Sequence, residues 1–170
     1  MIRLFQMRIA FLPALVLITI IFVGATYARN SVWRHSTVLW EDIVRKSPEK
    51  VRGHSQLGLI YLKDDMLDEA LGEFQKSLHW RPLDEDLYYN IASIYGKKGL
   101  SDDAIASYKA AIKIKPDYTE AHFNLGLLYL GRGLFDDASH EFEISLRLDP
   151  GDEQARQFLT YIANNRPSRE

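Results

Sequence analysis

Residues 121–138 read "AHFNLGLLYLGRGLFDDA", and the chain holds two close copies of this stretch, "GHSQLGLIYLKDDMLDEA" at 53–70 and "LYYNIASIYGKKGLSDDA" at 87–104. Aligned, they share a period of 34 residues: Leu57, Ile91 and Leu125; Gly58, Ala92 and Gly126; Tyr61, Tyr95 and Tyr129; Ala70, Ala104 and Ala138; Phe74, Tyr108 and Phe142. Pro48, Pro82, Pro116 and Pro150 keep the same interval. Self-similarity at such a period marks one supersecondary unit repeated and stacked.

The slots indicate which unit. Small residues at Gly58, Ala92 and Gly126 are expected to meet Ala70, Ala104 and Ala138 where two helices come close, with Leu and aromatic slots filling the space beside them. Gly99 and Gly133 suit the positive φ that ends a helix, and Asp65 stands at that point of the first copy. Acids then open the next helix: Asp68-Glu69, Asp102-Asp103 and Asp136-Asp137, where carboxylates complement free N–H groups and the helix dipole. Each second helix ends near its proline. The unit is a helical hairpin.

The flanks fit as caps. "WRHSTVLWEDIVRKSP" (33–48) reads as the second helix of a half repeat, with Trp40 in the slot of Phe74, Tyr108 and Phe142; "DEQARQFLTYIANNR" (152–166) reads as a closing helix.

This pattern resembles the tetratricopeptide repeat family, whose signature is Trp-x2-Leu-Gly-x2-Tyr, Ala-x3-Phe and Pro over 34 residues. The first copy reads His54, Leu57-Gly58, Tyr61, Ala70, Phe74 and Pro82. The second reads Tyr88, Ile91-Ala92, Tyr95, Ala104, Tyr108 and Pro116, and the third His122, Leu125-Gly126, Tyr129, Ala138, Phe142 and Pro150. His54, Tyr88 and His122 depart from the family's Trp. The expected fold is all-α: a solenoid of three repeats (49–84, 85–118 and 119–152), preceded by a juxtamembrane half repeat (31–48) and closed by a capping helix and tail (153–170).

The resemblance implies a concave groove lined by the first helix of each hairpin. Arg52, Gln56 and Leu59, then Tyr89, Asn90 and Ser93, then Phe123, Asn124 and Leu127 are placed there. Gln56, Asn90 and Asn124 put a side-chain amide at one slot of all three repeats, and an amide offers donor and acceptor to a peptide backbone of any sequence. The alternative is a tolerated polar residue beside the packing surface. Tyr89 and Phe123 are either ligand anchors or part of the wall.

Composition narrows the function. Residues 1–48 hold six Lys/Arg against two acids, whereas residues 49–150 hold twelve against eighteen. An acidic repeat region lacks the clustered cations that nucleic acid requires. The chain has no cysteine, which excludes disulfides, thiolate metal sites and cysteine nucleophiles. No nucleophile stands with a base, and the histidines at the repeat slots read as packing residues, so neither an enzyme, a metal nor a cofactor is expected.

The first thirty residues differ. "IAFLPALVLITIIFVGATYA" (9–28) runs twenty residues without a charge, enough for a helix to span a ~30 Å hydrocarbon core. A transmembrane helix is expected, a cleaved signal peptide being the alternative. The short N-terminal tail favours the N-terminus inside, with the repeats on the extracytoplasmic side of a bacterial inner membrane. The junction at 27–58, through Arg29-Asn30, Trp33, Leu39-Trp40 and Pro48, is similar to the entry into C-terminal tetratricopeptide repeats of polytopic membrane proteins, a group that includes candidate lipid-linked-sugar glycosyltransferases. The expected function is a membrane-anchored scaffold that holds a partner protein or peptide in its groove. A non-catalytic accessory or truncated piece of a membrane glycosyltransferase is the alternative, and association with a second copy or a membrane-protein companion stays open.

Overall fold

A computed structural model describes residues 17–22, 24 and 37–166. A helical segment at 37–46 (α1) is followed by α2 (Val51–Lys63), α3 (Leu67–Trp80), α4 (Glu85–Lys97), α5 (Ser101–Ile114), α6 (Thr119–Gly131), α7 (Phe135–Leu148) and α8 (Glu153–Asn165). Among the described residues there is no strand. The most extensive packing is within the pairs α2/α3, α4/α5 and α6/α7, and each pair then packs on the next through α3/α4, α5/α6 and α7/α8. The result is an all-α solenoid.

The expected span at 9–28 lies for the most part outside the described residues. Residues 17–22 are helical, with Leu17, Ile18, Ile20, Ile21 and Phe22 exposed. Among the described residues no helix is long and apolar enough to cross a membrane, so the structure lends the span no support.

The hairpin turns share one geometry. Asp65, Gly99 and Gly133 take φ of 59°, 73° and 72°. The next amide reaches back five residues in each case: Met66 to Tyr61 O at 2.9 Å, Leu100 to Tyr95 O at 2.9 Å and Leu134 to Tyr129 O at 3.0 Å. This is the left-handed C-terminal cap that satisfies otherwise unpaired carbonyls.

Inside the hairpins an aromatic ring lies on a residue with little or no side chain. Gly58 and Gly126, expected against Ala70 and Ala138, have the rings of Phe74 and Phe142 as their nearest neighbours. A Cβ at Gly58 would stand 2.8 Å from the Phe74 ring, and one at Gly126 would stand 2.9 Å from Phe142. The reason is helical spacing: Ala70 and Phe74 are four residues apart on one face, and the longer side chain reaches across. Ala70 and Ala138 are nonetheless fully buried, as is Ala104. Leu57, Ile91, Leu125, Ala92, Tyr108 and Tyr129 complete the buried slots. Tyr61 and Tyr95 are half-buried, and Pro82, Pro116 and Pro150 are exposed at the turns.

At the family's Trp slot, two repeats carry a buried polar pair. His54 Nδ1 lies 2.6 Å from Glu73 Oε2 and its Nε2 lies 2.9 Å from the Pro48 carbonyl. His122 repeats this with Glu141 at 2.6 Å and the Pro116 carbonyl at 3.0 Å. A carbonyl only accepts, so Nε2 carries a proton, and a second proton is shared between Nδ1 and the carboxylate. The middle repeat has Tyr88 and Ser107 at these positions. Beside Tyr88 a cavity of about 490 Å³ opens, lined also by Pro82, Leu83, Ala110, Lys113 and Ile114.

A third device joins one hairpin to the next. Asp68, Asp102 and Asp136, at the starts of α3, α5 and α7, pair with Lys98, Arg132 and Arg166, the residues that end α4, α6 and α8. Acid thus sits at a positive helix end and base at a negative one. The bases also recur every 34 residues, a signal the sequence carried beside the acids.

Two predictions follow from this packing. Gly126→Ala is expected to lower stability by about 1–3 kcal/mol through overpacking, since Phe142 is held by Phe158, stacked at 5.2 Å, and by Phe123 at 5.6 Å. Gly131→Ala, with open space at its Cβ, loses nothing; chemical denaturation of both checks this.

The Glu141 hydrogen bond, aided by the Pro116 carbonyl and opposed by burial, raises the His122 pKa above its ordinary 6.5. Its stabilisation is therefore complete below pH 6.5 and is lost as pH rises through the higher folded value. His122→Tyr/Glu141→Ser, the pair of the middle repeat, is expected to remove that part of the decline when Tm is followed from acid to alkaline pH.

Candidate functional site: the face of the first helices

The first helices of the hairpins, α2, α4 and α6, place successive slots side by side along the solenoid. Asp84 caps α4 by accepting from Leu87 N at 3.1 Å. Asp152 caps α8 by accepting from Gln154 N at 3.0 Å and Ala155 N at 2.9 Å. These contacts fix where the helices that frame the C-terminal end of the face begin.

One slot holds Ser55, Tyr89 and Phe123. Ser55 Oγ lies 2.6 Å from buried Ser77 Oγ. Tyr89 stacks on Tyr118 at 5.1 Å and meets Tyr108 edge-on at 5.6 Å. Phe123 meets Phe142 at 5.6 Å and Phe158 at 6.0 Å, both edge-on. Both rings are half-buried: they belong to the wall and present their remaining surface outward.

The next slot is the amide row. All three amides are half-buried, and they differ in what they hold. Asn124 donates to Tyr89 Oη at 3.0 Å, and Asn90 donates to the carbonyl of Asp86 one turn earlier at 2.8 Å. Gln56 has no side-chain hydrogen bond among the described residues. Asn90 and Asn124 each keep one N–H and their amide oxygen for other use. In α8 the same slot holds Phe158, so the row ends there.

The other expected residues spread along the face. Arg52 and Leu59 are exposed on α2, Leu59 to 41%, and Ser93 is half-buried on α4. Leu127 is set apart: it lines a separate cavity of about 370 Å³ with Leu130, Gly131, Phe135, Phe158 and Tyr161.

Tyr89, Phe123 and Asn124 come together. They line a cavity of about 420 Å³ with Thr119 and Glu120 of α6, Ser145 of α7, Asp149 and Asp152 of the following turn, and Gln154 of α8. Burial, followed by the charge of Glu120, raises the Tyr89 pKa, while its bond with Asn124 opposes the rise. The phenol is therefore neutral at physiological pH. Glu120, Ser145, Asp149, Asp152 and Gln154 are absent from the set expected from the sequence, because only stacking brings three helices and a turn to one point.

A family model described as TPR repeat matches residues 101–133, and one described as Tetratricopeptide repeat matches residues 119–152. No curated protein matches the chain. Among solved structures, a crystal structure of the MamA protein is 20% identical, covering 83% of this chain and 77% of that one with a TM-score of 0.74. YrrB, described as a TPR protein with an unusual peptide-binding site, is 19% identical over 82% of this chain and 72% of its own, with a TM-score of 0.69. The first TPR of Spaghetti (RPAP3), bound to the HSP90 peptide SRMEEVD, is 24% identical over 68% of this chain and 91% of its own, with a TM-score of 0.65. Residues 101–152 are thus tetratricopeptide repeats, and the 34-residue period and hairpin solenoid carry the same unit back to residue 53.

Proposed function

We propose that this protein is a non-catalytic scaffold that holds an extended segment of a partner protein along the face of α2, α4 and α6, and that its N-terminal stretch keeps it at a membrane. The observation that carries the first part is the amide row: three side chains at one slot, two of them anchored by a single hydrogen bond and all with capacity to spare. The 34-residue period repeats the amide at a constant step along the solenoid, and a row of donors and acceptors suits a peptide backbone without demanding its sequence. Two structural neighbours, YrrB and the RPAP3 repeat, are described with peptide sites, in keeping with this use of the fold.

The membrane part rests on the uncharged run 9–28 and on the exposed apolar side chains at Leu17, Ile18 and Ile20 to Phe22, which water would disfavour and lipid would cover. Arg3 and Arg8 before the run are balanced by Arg29 and Arg34 after it, so the orientation rests on the short N-terminal tail, which need not cross and favours the N-terminus inside with the repeats on the extracytoplasmic face.

Gln56→Ala/Asn90→Ala/Asn124→Ala is expected to keep the helical circular-dichroism spectrum and to lose the partner that the wild-type chain captures from solubilised native membranes. Equal capture by both would remove the amides from the working surface.

Because the chain has no cysteine, Ser168→Cys provides a single reporter of orientation. It is expected to react with an impermeant maleimide added to intact spheroplasts. Labelling only after lysis would place the repeats inside.

A further inference from the structure

We infer that the cavity at the C-terminal end of the peptide-binding face takes a Lys or Arg side chain of the bound segment, an inference that rests on the peptide-binding reading above. Three carboxylates, Glu120, Asp149 and Asp152, line this cavity, and no Lys, Arg or His does. Their commitments differ. Asp152 is occupied as the cap of α8 and as acceptor from Ser145 Oγ at 3.4 Å. Asp149 accepts from Gly151 N at 3.0 Å through one oxygen. Glu120 is exposed and has neither an ion pair nor a hydrogen bond among the described residues. Lys98 and Arg132 answer Asp68 and Asp102 elsewhere on the fold, whereas the three carboxylates gathered in this cavity have no base in its lining.

The remaining walls suit a long cationic side chain rather than a metal ion. Tyr89 and Phe123 offer aromatic surface on which a Lys or Arg stem packs and toward which its charge is attracted. Both rings are locked by their neighbours, Tyr89 between Tyr118 and Tyr108, and Phe123 against Phe142 and Phe158, so the cavity needs no rearrangement to receive a guest. Asn124 spends one N–H on Tyr89 and keeps its oxygen, an acceptor for an ammonium or guanidinium. At about 420 Å³ the space exceeds what one such side chain requires.

The other end of the face differs in sign. Arg52 is exposed on α2, while Lys97 is paired with Asp65 at 3.1 Å. A bound segment therefore meets acid at the α6–α8 end and a cation at the α2 end. Backbone amides are indifferent to side-chain identity, so this polarity supplies register and direction. It also disfavours acidic segments such as SRMEEVD at the α6–α8 end.

The test is selection of a random peptide library on the full chain in detergent, run in parallel on Glu120→Gln/Asp149→Asn. Asp152 is left in place because it caps α8, and Asn at 149 retains an oxygen for Gly151 N. Circular dichroism checks that the variant folds. Wild type is expected to enrich peptides with Lys or Arg at one fixed position, and the variant to lose that preference. The affinity of an enriched peptide is expected to fall about tenfold or more on the variant, the scale of a lost hydrogen bond to a charged group, and to fall with added salt on the wild type only. Enriched peptides without a basic position, still dependent on Gln56, Asn90 and Asn124, would overturn the cation site and leave the scaffold reading standing. No enrichment on either protein would overturn both.

Discussion

The structure depends on one contact made within a hairpin: an aromatic ring of the second helix lying on a residue of the first that has almost no side chain. Phe74 on Gly58 and Phe142 on Gly126 are the plain cases. Ala92 and Tyr108, in the same cluster, are the variation of the middle repeat. Burying such a ring contributes about 1.5–3 kcal/mol, but the ring needs the space that Gly or Ala leaves. The small residue lets the helices approach and the ring fixes how closely. Every other slot, from Leu57 to Tyr129, fills a volume that this approach defines.

A hairpin made this way still has an apolar outer side, which the next hairpin must cover. Apolar contact is non-directional, so polar groups at the edges give the stack its register. The imidazole of His122 spans a carboxylate on α7 and a carbonyl before α6, closing one edge. At the other edge the Asp68–Lys98, Asp102–Arg132 and Asp136–Arg166 pairs tie each second helix to the end of the first helix that follows. Exposed pairs of this kind contribute about 0–1 kcal/mol each. Their repetition matters more than their strength, because each hairpin interface then carries its own register mark, which a slip of one residue at that interface breaks.

The face of α2, α4 and α6 inherits its rigidity from the same packing. Tyr89 and Phe123 are structural on one side and available on the other, which makes their exposed surface a fixed wall. The amides beside them are held by one bond each where they are held at all, so ordering them for a ligand costs little further entropy. In the proposed use, the amide row would supply sequence-tolerant affinity and the acidic end direction.

The repeat, the hairpin and the slots that pack were legible in the sequence because they are local and periodic: one helix face seen three times at 34-residue spacing. The amide row was legible for the same reason. What the amides hold was not, since Asn90 turns to its own helix and Asn124 to a tyrosine 35 residues away. That the Phe74 ring is the nearest neighbour of Gly58, which was expected against Ala70, was not legible, because slot matching says which residues are equivalent and not how far a side chain reaches. The acidic cavity was invisible: Glu120, Asp149 and Asp152 share no slot, and only the stacking of α6, α7 and α8 brings their carboxylates to one mouth. Periodic chemistry thus belongs to the sequence, and the meeting of non-equivalent residues belongs to tertiary structure, because distance in space between unlike positions is set by how helices cross and not by how residues are ordered.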